Sequence, residues 1–103
     1  MIIDAHTHLG LEDYAGADRD ARAEALADRY AEILRANGVD CGFTFTFYGL
    51  LGDARAGNDQ LARARDRQPD AILPWGTVDP YWDEGRLRTE MRRCVRELSL
   101  IHI

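Results

Sequence analysis

The sequence predicts an α/β protein built on a parallel sheet, and three observations carry that reading. Short stretches in which apolar and polar residues alternate are interleaved with longer stretches of helical period, in the order β-α-β-α-β-α. Strands joined through helices pair in parallel, because each crossover returns the chain to the same end of the sheet. The first strand runs into H-T-H-L-G, which is neither G-x-G-x-x-G nor G-x-x-x-x-G-K-[ST]. No phosphate cradle follows it, so a barrel is favoured over an open doubly wound sheet.

Residues 2–9, "IIDAHTHL", read as the first strand. On a regular strand Asp4, His6 and His8 share one face, and Ile3, Ala5, Thr7 and Leu9 the other. The polar stretch "LEDYAGADRD" reads as a loop. The helix after it carries Leu26, Tyr30, Ile33 and Leu34 at i, i+4, i+7 and i+8, and "ANG" supplies its stop. "CGFTFTFYG" alternates Phe with Thr and reads as the second strand, with Phe43, Phe45 and Phe47 on one face. A glycine-containing loop, "YGLLGDARAG", leads to Asn58, placed to cap a helix over "DQLARARDR" that Pro69 ends. "AILPWGTV" reads as the third strand. Asp79-Pro80 then turns the chain into a third helix, with Leu87, Met91 and Val95 at helical spacing.

A chain of 103 residues, 46% hydrophobic and 30% charged, has the balance of one modest globular core. No apolar run approaches the roughly 20 residues needed to span a bilayer, and the N-terminus lacks a signal-peptide pattern. The expected location is the cytoplasm, with no membrane partner. A net charge of −5 gives no electrostatic reason to bind nucleic acid, and Arg92 with Arg93 reads as a solvated helix face. Cys41 and Cys94 match no zinc-finger or C-x-x-C spacing and read as buried free thiols.

A lone histidine at a strand end reads as a satisfied polar residue. Two of them at strand spacing, His6 and His8, preceded by Asp4, read as metal ligands. Asp4 either orients a histidine from behind or satisfies backbone donors near the N-terminus. One strand cannot surround an ion, so the remaining ligands come from elsewhere. Asn58 and Asp79 read as capping and turn residues in preference to catalytic ones. Trp75, Tyr81 and Trp82 either line a substrate pocket or pack under a neighbouring loop.

D-A-H-T-H-L-G at the start of a β-α-β-α chain resembles the amidohydrolase superfamily, whose metal-binding H-x-H closes the first barrel strand. "GNDQLARARDRQPDAILPWGTVDP" is similar to the amidohydrolase-related family that includes aminocarboxymuconate-semialdehyde decarboxylase. There an Asn-led helix ends in a proline and is followed by a strand closing on Asp-Pro, here Asn58, Pro69 and Asp79-Pro80. The resemblance implies a partial TIM (β/α)8 barrel, its first three β/α units only, over residues 1–97. It implies the N-terminal fragment of a metal-dependent hydrolase or non-oxidative decarboxylase acting on a small carboxylate or cyclic carbonyl substrate. His6 and His8 would hold a divalent metal, most often Zn2+, with Asp4 as a possible outer partner. The other ligands and the general acid/base would lie in later strands, leaving the fragment itself inactive.

The third histidine, His102, lies in "LSLIHI", residues 98–103. That string matches the in-frame translation of the end of a transposon-based sequencing adapter and is read as a non-native tail in preference to a native strand. TatD-like nucleases and the polymerase-and-histidinol-phosphatase class also open with D-x-H-x-H. TatD-like chains place a glycine-histidine-proline element where this chain has "WGTVDP". A non-enzymatic metal-binding module is a further alternative, but it would have to supply its own third and fourth ligands. An inert truncated product is another.

Overall fold

The computed structural model describes residues 1–10 and 19–97. Its elements run β1 (Ile3–Leu9), α1 (Arg19–Ala36), β2 (Cys41–Thr46), α2 (Phe47–Leu51), α3 (Ala54–Arg67), β3 (Ile72–Pro74) and α4 (Glu84–Glu97). The strands form one parallel sheet in the order β1-β2-β3. The expected alternation therefore stands, with α2 added. Residues 11–18 of the expected loop and the tail at 98–103, with His102, lie outside the described residues.

The core lies between one face of the sheet and helices α1 and α3, where Leu9, Ala27, Tyr30, Leu34, Leu61, Ala64 and Ile72 are buried together. Thr7 Oγ1 donates to the Phe43 carbonyl at 2.9 Å, so the Tyr30 hydroxyl, 2.7 Å away, is the donor to Thr7. That pair pins α1 to the strands. The buried side of α1 is Ala23, Ala27, Tyr30, Ala31 and Leu34, whereas Ile33 falls outside this stripe and stands 50% exposed. Small alanines let the helix lie close to the sheet, and the expected place of Ile33 in the stripe is corrected accordingly. The helix ends as "ANG" implies. Gly38, at φ 70°, donates to Arg35 O, and Val39 donates to Leu34 O, the pairing of a Schellman cap.

The expected glycine-containing loop is largely helical. Thr46 ends β2 and caps α2, its Oγ1 accepting from the Gly49 N–H at 3.0 Å. Phe47 therefore opens a helix and does not extend the strand. Asp53 caps α3 by accepting from the Ala56 N–H at 2.9 Å. Asn58 is thus inside α3, not at its cap, and belongs to the buried stripe of Ala54, Gly57, Asn58, Leu61 and Ala64.

Two further expectations change at the C-terminal end. β3 is three residues long, and the Trp75 N–H makes its last bond to β2, at Thr44 O; Pro74, whose missing N–H would point away from β2, sits at the sheet edge. On α4, Met91 and Val95 are 47% and 42% exposed, while Glu90 and Cys94 face inward. Arg92 is exposed as expected, but Arg93 is not a solvated charge: it bonds Glu90 on its own helix and Asp59 on α3. Cys41 and Cys94 are both free and buried.

Candidate metal centre

β1 carries one more residue than β2 between Asp4 and Thr7, since Asp4 pairs with Gly42 and Thr7 with Thr44. Such a bulge breaks the two-residue alternation. Asp4 keeps register with Gly42, on the side covered by α1, while His8 pairs with Phe45, three residues along β2 and so on the other side. The expectation that Asp4 shares a face with both histidines is thereby corrected. Its Oδ1 accepts from the His6 backbone N–H at 3.0 Å, tying down the bulge.

His6 and His8 do converge. Their Nε2 atoms stand 3.1 Å apart, with ring centroids at 4.9 Å and planes at 72°. Both lie on the sheet face opposite α1 and α3, where Phe45 is buried and Phe47, the first residue of α2, reaches His8. Aromatic rings frame them there: Phe45 meets His8 edge-on at 4.4 Å and His6 at 5.2 Å, and Phe47 stacks on His8 at 4.5 Å. Trp75 extends the cluster over Phe43 and Phe45, at 5.2 and 6.3 Å. Burial, and then the neighbouring His6, hold His8 below the ordinary imidazole value. A neutral ring is the form that ligates.

A separation of 3.1 Å is that of a hydrogen bond between the two rings, and it is also one that two imidazole ligands of a single divalent cation would adopt. Two imidazole nitrogens each about 2.0–2.1 Å from one ion, at an angle near 100°, are separated by about 3.1 Å. A full coordination sphere is not assembled, because among the described residues no group of three or more His, Cys, Asp or Glu side chains comes together. His8 Nδ1 is enclosed and has no hydrogen-bond partner among the described residues.

The segment after β3 borders the same end of the sheet. Asp79 is a turn residue, accepting from the Tyr81 N–H at 2.8 Å. Of the three aromatics considered above, Trp75 joins the histidine face, Tyr81 is 96% exposed, and Trp82 lies under the Arg86 guanidinium at 4.0 Å. A cavity of about 300 Å³ lies between Gly49 to Leu51 of α2, with its cap Gly52, and the turn at Asp79, Pro80 and Tyr81. Behind it is a buried network that sequence reasoning missed. The Asn58 carboxamide, 1% exposed, bonds Thr77, Glu90 and Cys94. The signal was present: Asn58 sits three residues before Leu61 and four after Ala54, on the apolar stripe of α3.

No protein-family model matches the sequence, and no curated protein matches it. Among solved structures, the fold is similar to the crystal structure of 4-oxalomesaconate hydratase, LigJ, from Rhodopseudomonas palustris, with a TM-score of 0.66 at 16% identity. The match covers 98% of this chain and 40% of that one. It establishes a likeness of fold, and this chain spans 40% of the length of the protein it matches.

Proposed function

We propose that the chain is the N-terminal part of a metal-dependent enzyme of the amidohydrolase-related kind, with His6 and His8 as the first two ligands of a divalent cation, zinc foremost. The observation that carries the reading is the 3.1 Å approach of the two Nε2 atoms on the sheet face opposite α1 and α3. Three consecutive parallel strands, with their connecting helices on one side, are what three adjoining units of a barrel wall look like, and the opposite side is then the interior. The similar fold belongs to an enzyme, a hydratase. The proposed chemistry is hydrolysis or non-oxidative decarboxylation of a small carboxylate or cyclic carbonyl compound.

Each residue has a definable part. A bound cation would lower the pKa of a water molecule or polarise a substrate oxygen. His8, neutral through burial, keeps a lone pair available, and Phe45 and Phe47 fix the plane of its ring. Asp4 holds the His6 backbone at the bulge. With two ligands among the described residues, and the general acid/base expected in later strands, the chain itself is proposed to be catalytically silent. The partner of the parent enzyme is proposed to be a small-molecule substrate, as the resemblance implies.

Titration of zinc into the 103-residue chain near neutral pH tests the assignment. His6→Ala and His8→Ala are each expected to weaken binding by more than about tenfold, the scale on which even an outer partner acts. Unchanged affinity in both variants would overturn it.

A further inference from the structure

We infer that Asn58 is a positioning residue, which holds the chain leaving β3 at Thr77 and so sets the position of the turn that follows, Asp79–Tyr81, one wall of the cleft at the carboxyl end of the sheet. β3 cannot do this itself. It is three residues long, and its last bond to β2 is made by the Trp75 N–H. Two residues later, Thr77 has Asn58 where a strand would be. Asn58 Oδ1 accepts from the Thr77 N–H at 2.8 Å, and Asn58 Nδ2 donates to Thr77 O at 2.8 Å. This is the paired donor and acceptor that one strand residue offers another. Only a carboxamide side chain carries both at that fixed spacing.

The orientation of the amide is itself held. Nδ2 also donates to Glu90 Oε1 at 3.0 Å, and an ionised carboxylate accepts and never donates. Glu90, 2% exposed, is in turn bonded by Arg93 at 2.6 and 2.9 Å, and Arg93 reaches Asp59 at 2.7 Å. Losing one member leaves a buried polar group unpartnered, so the network acts as a unit.

The preceding residue of α3 fixes the opposite wall. Gly57 packs on the Gly49 backbone of α2, and a Cβ on Gly49 would lie 2.6 Å from Thr77 Oγ1. The cavity of about 300 Å³ has Gly49–Gly52 on one side and Asp79–Tyr81 on the other. Two consecutive residues of one helix therefore set both sides of it. Helix α3 and the G-T-V-D-P stretch are thus one physical unit. That the cleft receives substrate rests on the function proposed above; that Asn58 holds its wall does not.

Amide hydrogen exchange followed by NMR on the 103-residue chain tests the inference without reference to metal. The Thr77 amide is expected to be protected at least about tenfold over a free amide although it lies beyond the sheet. Asn58→Ala should abolish that protection and shift the Trp75 indole resonance, while the Gly42 amide, bonded to Ala71 O, stays protected. Glu90→Gln, which keeps an acceptor for Asn58, should lower the thermal midpoint yet leave Thr77 protected. A Thr77 amide that exchanges freely in the folded wild-type chain would overturn the inference. So would a Glu90→Gln variant that exposes Thr77 as fully as Asn58→Ala does. Should Asn58→Ala fail to fold, the wild-type and Glu90→Gln measurements decide.

Discussion

Gly57 on α3 lies so close to Gly49 on α2 that a Cβ built on it would fall 2.3 Å from the Gly49 Cα and 2.4 Å from its amide nitrogen. Those are backbone atoms, so no rotamer change can relieve the contact. Gly57→Ala would gain about 1 kcal/mol in helix propensity. Overpacking of up to about 3 kcal/mol outweighs that gain. The expected outcome is a net loss of about 2 kcal/mol, read from the urea midpoint. A raised midpoint would show that α2 and α3 are not in contact.

Much of the fold was legible because its elements obey local rules. Gly38 stops α1 in the conformation that "ANG" implies, and the Phe and Thr of β2 alternate as read. What was illegible depended on contacts between elements. A stretch containing Gly49, Gly52 and Gly57 reads as loop by propensity, yet α2 and α3 need glycine at 49 and 57 for close approach. The inward face of α4 was misread for a similar reason: Glu90 and Cys94 are buried by polar bonds to Asn58, which hydrophobic periodicity does not register.

Cys94 should be chemically silent in the folded chain. Burial, with the Glu90 carboxylate adding to it, pushes its thiol up to about 11. The thiolate is the reactive species, so little is present at pH 8. A thiol reagent at that pH is expected to leave Cys94 unmodified until denaturant is added, as followed by mass spectrometry. Rapid modification of Cys94 in the native chain would mean that α4 does not dock as described.

Stability should fall in acid. Burial alone would raise the Glu90 carboxyl, but hydrogen bonds from Arg93 and Asn58 more than offset it and hold the group below its ordinary value. A depressed folded value contributes stability that is fully present above the unfolded value of 4.5 and is lost as pH falls through the folded one. Asp28, lowered by hydrogen bonds from Arg67 and Gln68, acts in the same direction. Urea midpoints should therefore drop from pH 6 to pH 3, and Glu90→Gln should flatten the slope without abolishing it. An equal slope in that variant would place the acid sensitivity elsewhere.

The meeting of the two histidines was legible in the sequence, and the place of Asp4 was not. Spacing alone brings His6 and His8 to one face, and their rings do meet. It also assigned Asp4 to that face, and nothing in "IIDAHTHL" announces the extra residue that moves Asp4 off it. A bulge is a property of two paired strands, so one strand read by itself cannot reveal it.

The sheet face that carries the histidines yields the remaining prediction, because its magnitude separates two architectures. Were that face a second packed core, removing a large aromatic from it would cost about 3–5 kcal/mol. Were it an exposed wall awaiting the rest of a barrel, the cost would be the loss of one ring contact, about 0.5–1.5 kcal/mol. Phe43 is half-buried, lies beside Leu73 of β3, and has its ring 5.2 Å from that of Trp75. Phe43→Ser is therefore expected to cost about 1 kcal/mol in denaturant unfolding. The same substitution should weaken binding of the dye anilinonaphthalene sulfonate, which lodges on exposed apolar surface. A loss of about 4 kcal/mol, with dye binding unchanged, would mean that the face is already covered and that the barrel-wall reading fails.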